Sequence, residues 1–176
     1  AGVEGTSYGA WVTSKRTNAA NYRTIYVGAN DGMLHAINGL TGEERFAFVP
    51  NGVYPKLYKL LESGSAHEYN VDGKIAISDA YRNGWTTVVV GSTGAGGRSV
   101  FALDVGSPTG QLSNVLWEYK APDLGYPIGK PIIGRTPDTV AANGTTLANG
   151  KWVAVFSNGY FSDSGKATLF VVDLFT

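Results

Sequence analysis

Three segments of the chain repeat one pattern of strand, turn and strand, and this repeat limits the possible folds more than any other feature. In each segment a glycine closes the first apolar run, and an asparagine or aspartate closes the second. These anchors recur at intervals of 63 to 69 residues, at Gly28, Gly91 and Gly159 and at Asn38, Asp104 and Asp173. Self-similarity on this scale is typical of repeat architectures, in which each unit buries its apolar faces against its neighbours.

Each repeat is predicted to be a small antiparallel sheet. Asp31 and Gly32 lie between two apolar runs, and an Asp-Gly pair favours a tight hairpin because it tolerates positive φ angles. A further strand before each hairpin, over residues 10–14, 74–81 and 131–135, would complete four strands. The positions that this pattern marks as structural turns are Gly28, Asp31, Gly32, Gly91, Asp104, Gly159 and Asp173.

The predicted fold class is therefore all-β, a partial β-propeller of about three four-stranded antiparallel blades. The blades are predicted over residues 8–50, 70–122 and 131–176, the last without its outer strand, within a single domain over residues 1–176. A short helical insertion is predicted over residues 54–62, because Pro55 suits a first helical turn and nearby leucines share one face. Three blades do not close a ring of four to eight, so the domain is predicted to be a fragment of a larger propeller, with pairing of its ends to another chain as the alternative.

The composition agrees with short strands and tight turns, and it argues against several other classes. The 176 residues include 24 glycines, 7 prolines and no cysteine, and 43% of them are hydrophobic. Such a chain can bury a core, whereas disulfide scaffolds, thiolate zinc sites and cysteine enzymes all need cysteine. Fourteen basic residues balance 14 acidic ones, which disfavours a nucleic-acid partner. No apolar run reaches the ~18 residues of a membrane span.

The residue pattern predicts no catalytic, cofactor-binding or metal-binding set. The glycine-rich residues 91–99 lack the lysine and the following helix of a phosphate-binding loop, and they are predicted to form a flexible turn between strands. Acid–glycine pairs occur singly, without the alternating oxygen ligands of a calcium loop. His35 is predicted to pack at a sheet surface, and spacing places no carboxylate cluster beside it or His67. Four tryptophans are predicted to lie in strands and to pack between blades: Trp11, Trp85, Trp117 and Trp152.

An ordered series of motifs resembles one known family. Residues 26–37 resemble a repeat of the quinoprotein-dehydrogenase-type propellers. The longer series, which includes His67-Glu-Tyr-Asn-Val-Asp-Gly73 and Gly94-Ala-Gly-Gly-Arg98, resembles the C-terminal domain of PilC/PilY-type type IV pilus tip proteins. The resemblance covers about residues 24–175, and its other motifs lie at residues 46–50, 54–57, 101–104, 123–126, 129–131 and 156–160.

The resemblance implies a protein of the bacterial cell surface and pilus tip (fimbrium), exported through the periplasm. Proteins of this family support pilus biogenesis, control retraction, and mediate adhesion and twitching motility, which are contributions to bacterial virulence. The implied partners are minor pilins, the type IV pilus machinery, and a host or abiotic surface. Calcium is implied for the full-length family protein, whose aspartate-rich loop is expected after Thr176. The resemblance therefore assigns no metal residue within this segment.

Two other functions share the propeller repeat. A pyrroloquinoline-quinone-dependent dehydrogenase would hold its cofactor inside a closed ring, with a stacking tryptophan and often a cysteine pair. A periplasmic scaffold propeller for outer-membrane assembly has no counterpart to residues 50–73. The sequence therefore favours a non-enzymatic pilus protein.

Overall fold

The computed structural model describes residues 3–64, 66–147 and 150–176, and in these ranges two N-terminal helices precede three antiparallel sheets of three or four strands and one two-stranded hairpin. The helices are α1 (Val3–Thr17) and α2 (Ala19–Tyr22). Sheet one contains β1 (Thr24–Gly28), β2 (Leu34–Asn38) and β3 (Glu44–Phe48), paired in chain order. Sheet two contains β4 (Ala76–Tyr81), β5 (Trp85–Ser92), β6 (Val100–Asp104) and β7 (Asn114–Tyr119), also in chain order.

The third sheet has its longest strand in the middle. Strand β11 (Trp152–Ser157) pairs with β8 (Ile132–Arg135) on one side and with β12 (Leu169–Asp173) on the other. Two short strands, β9 (Thr139–Val140) and β10 (Thr146–Leu147), form a separate hairpin. Two 3-10 segments, Tyr54–Leu61 and Gly94–Gly96, lie in the connections, and the first occupies the place of the predicted helical insertion. No helix of the described ranges is long and apolar enough to cross a membrane.

The all-β prediction is confirmed, and one predicted strand is wrong. Residues 10–14, predicted as the fourth strand of the first blade, lie inside α1, so Trp11 is helical and sheet one has three strands in the described chain. Contacts with sheet two, rather than the local sequence, account for the helix. The Lys15 ammonium donates hydrogen bonds to Asp79 Oδ1 at 2.8 Å and to Thr87 Oγ1 at 2.9 Å, and the Trp85 indole donates to Ser7 at 3.0 Å. These contacts dock a helix against β4 and β5, and they depend on residues more than 60 positions away along the chain, which a local pattern does not reveal.

Sheet two is the middle layer, and its central strands β5 and β6 are buried on both faces. Val88 and Val90 of β5 pack in the core shared with sheet three, whereas Val89 between them packs in the core shared with sheet one. In β6, Phe101 faces the sheet-one core and Ala102 the sheet-three core. Because side chains alternate along a strand, continuous apolar runs mark strands that are covered on both sides.

The aspartate and asparagine anchors of the repeat perform the same task in every sheet. Each side-chain oxygen accepts a hydrogen bond from the backbone N–H two residues later, which turns the chain at the end of the strand. The distances are 2.9 Å for Asn38 with Leu40, 3.0 Å for Asp104 with Gly106 and 3.0 Å for Asp173 with Phe175.

Two short connectors hold neighbouring sheets together. Connector one (residues 70–73) bonds to the β1–β2 turn through Val71 N–H and Ala29 O (3.2 Å), and to sheet two through Gly73 N–H and Ser92 O (3.1 Å). Connector two (residues 124–128) accepts a bond from Ser92 Oγ at Pro127 O (2.8 Å). On its other side, Gly125 N–H donates to the backbone oxygen of Asn158 at 2.8 Å, and Asn158 directly follows β11. Each connector is thus attached to both of the sheets that it links.

Three of the four tryptophans pack between sheets, as predicted. The rings of Trp85 and Trp152 meet edge-on across sheets two and three, with centroids 6.0 Å apart. The centroids of the Trp117 and Phe156 rings are 6.5 Å apart, and the Trp117 indole N–H donates to the backbone oxygen of Asp173 at 3.0 Å.

Candidate binding groove

An open groove of about 540 Å³ lies where sheets two and three meet. Its walls come from three segments: the turn between β5 and β6, connector two, and the loop that follows β11. The side chains that line it are mainly aromatic or aliphatic, with a single cation, and they belong to Ala95, Arg98, Tyr126, Ile128, Tyr160 and Phe161. We refer to these six residues as the aromatic groove.

Backbone hydrogen bonds fix the aromatic side of the groove. Tyr126 N–H donates to Tyr160 O at 2.8 Å, and Tyr160 N–H donates to Tyr126 O at 3.2 Å. Gly159 allows this approach, since a Cβ on it would lie 1.8 Å from the Tyr126 oxygen and its φ is +71°. The two tyrosines are therefore held by main-chain pairing between connector two and the loop after β11.

Phe161 is exposed and conformationally unusual. Its side chain is 79% exposed, and Tyr160 beside it is 64% exposed. Its φ of 59° lies in the left-handed region, which residues with a Cβ rarely adopt. Strained backbone of this kind is concentrated at functional sites, where the surrounding structure imposes it. The Phe161 ring meets the Tyr126 ring edge-on, with centroids 6.4 Å apart, and most of its surface stays open to solvent.

Arg98 supplies the charge in the groove. Its guanidinium lies 5.6 Å from the centre of the Tyr126 ring, in a cation–π contact, and Nη1 lies 2.6 Å from Asp163 Oδ1. Both members of this ion pair remain substantially exposed to solvent. Arg98 therefore has polar donor capacity next to aromatic surface, a combination that is enriched at protein interfaces.

The residues predicted as structural turns do not gather at one site. Among them Gly159 alone adjoins the groove, and Gly28 lies against connector one, where a Cβ would be 2.4 Å from Val71 O. The glycine-rich residues 91–99 form an inter-strand turn, but its packing contradicts the predicted flexibility. The Gly94–Gly96 segment contacts connector one, so that a Cβ on Gly96 would lie 1.8 Å from Asn70 O.

Sequence reasoning missed the environment of His35. Its Nδ1 lies 2.5 Å from Glu44 Oε2 and its Nε2 lies 2.8 Å from Asp31 Oδ2. The hydrogen bond with Glu44, together with that with Asp31, raises the pKa of the imidazole against the opposing effect of burial. Asp31 four residues earlier was a visible signal, but Glu44 comes from β3 and only the strand register brings it near.

The described residues contain no group of three or more histidine, cysteine, aspartate or glutamate side chains arranged to hold a metal ion.

Comparison with known proteins places the chain in a family. A family model described as the PilY1 beta-propeller domain matches residues 3–176. A type IV pilus biogenesis factor PilY1 homolog of Xylella fastidiosa (strain Temecula1) is 50% identical over 179 residues, which cover 99% of this chain and 11% of that protein. The type IV pilus biogenesis factor PilY1 of Pseudomonas aeruginosa (strain UCBPP-PA14) is 46% identical over 157 residues, which cover 85% of this chain and 12% of that protein.

The fold comparison agrees with the sequence comparison. The crystal structure of the Pseudomonas aeruginosa PilY1 C-terminal domain superposes with a TM-score of 0.68 at 39% identity, covering 94% of this chain and 30% of that domain. The propeller prediction and the family resemblance are both confirmed. The chain belongs to the PilY1 β-propeller domain family of type IV pilus biogenesis factors.

Proposed function

We propose that this chain is one part of a type IV pilus biogenesis factor, located at the bacterial cell surface or pilus tip, and that the aromatic groove is its contact surface for a minor pilin. The observation that carries the proposal is the groove itself, on a chain that is 50% identical to a pilus biogenesis factor homolog. The chain spans only about a tenth of the relatives it matches, so the activity of the whole protein is part of the proposal.

The chemistry of the groove supports a protein partner. Tyrosine and arginine are, together with tryptophan, enriched among the residues that dominate binding energy at interfaces. Tyr126, Tyr160 and Arg98 meet here beside two exposed apolar side chains, Ile128 and Phe161. Burial of Phe161 by a partner would also explain why the fold holds that side chain outward.

The experiment replaces Phe161 with glycine (Phe161→Gly) in the full-length parent protein and measures binding to purified minor pilins. Glycine removes the aromatic ring and accepts the left-handed backbone conformation, so we expect the variant to be at least as stable as the wild type. We expect affinity for the pilin to fall about tenfold or more, as for loss of an interface anchor.

Tyr58→Ala is the matched control, because Tyr58 is 58% exposed and lies on the insertion, away from the groove. Its binding should equal that of the wild type. Undiminished pilin binding by a folded Phe161→Gly variant would overturn the proposal for the groove.

The finer roles follow from the same proposal. We propose that the parent protein promotes adhesion to host or abiotic surfaces, retraction control, twitching motility and virulence, that calcium acts through a loop outside this segment, and that the chain itself is not an enzyme. Family membership supports these roles. Titration with pyrroloquinoline quinone and calcium tests the non-enzymatic assignment, and a stoichiometric cofactor spectrum would contradict it.

A further inference from the structure

A second cavity, of about 260 Å³, lies between the insertion and connector one. It is lined by Lys56, Lys59 and Leu60 of the 3-10 helix, by Ala66, His67 and Glu68 of the segment after it, and by Asn30 and Asn70. Its volume is below the roughly 300–1,000 Å³ typical of sites for drug-sized ligands. The cavity therefore suits a small polar group.

The cavity carries an excess of positive charge. Lys59 forms an ion pair with Glu68 at 2.5 Å, which neutralises one of the two ammonium groups. Lys56 is hydrogen-bonded to the backbone oxygen of Tyr69 and has no carboxylate partner in the described chain. Burial lowers the pKa of Lys56, and Lys59 adds to this effect while Glu68 opposes it. An anion bound here would supply the missing countercharge.

His67 adds a directed hydrogen-bond donor. Asn30 Oδ1 accepts a hydrogen bond from the backbone N–H of Asn70 at 3.1 Å. The other polar atom of the Asn30 side chain, Nδ2, is therefore the donor. That Nδ2 lies 3.2 Å from His67 Nε2, which must then be the acceptor. An Nε2 that accepts places the ring proton on Nδ1, which leaves that N–H available to a ligand.

Asn70 adds an acceptor without a partner. Its side chain is 2% exposed, and its Nδ2 donates to Asn30 O at 2.6 Å. Its Oδ1 is buried and has no hydrogen-bond partner among the described residues. A buried acceptor without a partner is costly, so the site favours a ligand that carries a hydrogen of its own.

We propose that this cavity binds a phosphate group in a form that retains an O–H, with Lys56 and His67 donating hydrogen bonds to its oxygens and Asn70 Oδ1 accepting a hydrogen bond from its O–H. The phosphate could be the free ion or a monoester on a partner protein. A fully deprotonated oxyanion such as sulfate satisfies the donors but leaves Asn70 unpaired. Selection between phosphate and sulfate is therefore the distinguishing property of the site.

The experiment titrates the 15N-labelled chain at pH 6.5 with sodium phosphate and, at equal ionic strength, with sodium sulfate, and follows the side-chain amide of Asn70 by NMR. We expect saturable binding of phosphate and binding of sulfate that is about tenfold weaker, as for loss of one hydrogen bond to a buried group. Parallel titrations with a phosphoserine peptide and its unphosphorylated form identify the source. Tighter binding of the phosphopeptide than of inorganic phosphate assigns a partner monoester, and preference for the inorganic ion assigns free phosphate.

Lys56→Met tests the charge, with Lys74→Met as the matched control at an exposed lysine outside the cavity. We expect the first variant to weaken phosphate binding about tenfold and the second to leave it unchanged. Equal binding of phosphate and sulfate by the wild type, which needs no variant, would mean an adventitious ion only and would overturn the proposal. Unchanged phosphate affinity in Lys56→Met would overturn it as well.

Discussion

His35 illustrates how the fold, rather than the neighbouring sequence, sets the chemistry of a single residue. The two carboxylates that flank its ring come from the β1–β2 turn and from β3, and the imidazole is about 20% exposed. Both carboxylates favour the protonated ring, which is why its pKa is raised. The stabilisation that His35 contributes is complete below its unfolded pKa of about 6.5 and is lost as pH rises through the raised folded pKa.

His35→Gln tests this dependence. We expect the variant to be less stable than the wild type by about 0.5–1 kcal/mol near pH 5.5, as for partly exposed ion pairs. Urea unfolding at several pH values should show the difference shrinking as the pH rises through the raised pKa of the wild-type ring. The double variant with Glu44→Gln should add little to the single one at low pH. A stability difference that is independent of pH would exclude the ion pair as its cause.

The sequence predicted residues whose role is local and missed those whose role depends on distant partners. The Asp31–Gly32 turn follows from its dipeptide alone, and Gly32 has the expected positive φ of 98°. The aromatic groove combines Arg98, Tyr126 and Tyr160, whose positions along the chain show no common pattern. The left-handed conformation of Phe161 follows directly after the main-chain pairing of Tyr160 with Tyr126, and a phenylalanine gives no sign of it in the sequence.

Helix α1 is the element with the fewest local reasons to form. It contains glycines and β-branched residues, which have low helix propensity. Its tyrosine and tryptophan are equally compatible with a β-strand. Its attachment to sheet two centres on Asp79, which accepts from Tyr8 at 3.2 Å and from Lys15 at 2.8 Å. Burial would raise the pKa of Asp79, but hydrogen bonds from Lys15 and Thr87 hold it below its usual range.

Asp79→Asn is therefore expected to release the helix without unfolding the sheets. The change leaves the Lys15 ammonium without its countercharge, and we expect the docked state of α1 to lose about 1–3 kcal/mol. Hydrogen exchange should accelerate for the α1 amides and stay unchanged for those of β5 and β6. Arg16→Gln is the control, since Arg16 lies on the same helix but is not among the hydrogen-bond partners given for Asp79. Equal protection of α1 in Asp79→Asn and wild type would show that other contacts hold the helix.

The whole molecule is a stack in which sheet two is stabilised from both sides. Phe156 packs against the rings of Trp117, Tyr119 and Phe170, which belong to sheets two and three. Phe101 occupies the other interface and lies 5.2 Å from the Phe48 ring of sheet one. Because the strands of sheet two contribute to both cores, we expect the two interfaces to unfold together.

Phe156→Ala and Phe101→Ala test this coupling at opposite interfaces. Each removes a buried ring, so each should lower the free energy of unfolding by about 3–5 kcal/mol. Chemical denaturation followed by circular dichroism should still show one transition in both variants, at a lower midpoint. Val171→Ala, at a side chain that is 59% exposed, should change the midpoint little. A second, separate transition in either variant would show that one sheet unfolds on its own.

The connectors also determine where this architecture can acquire new sequence. Connector one follows a long link that contains the insertion, and connector two follows a short link after Tyr119, yet both are attached to the sheets on either side. The length of a link is therefore independent of the placement of the sheets. A segment grafted between Tyr119 and Leu124 is therefore expected to leave the hydrogen bonds of connector two with sheets two and three intact. The domain can in this way gain binding loops by insertion while its core sequence stays the same.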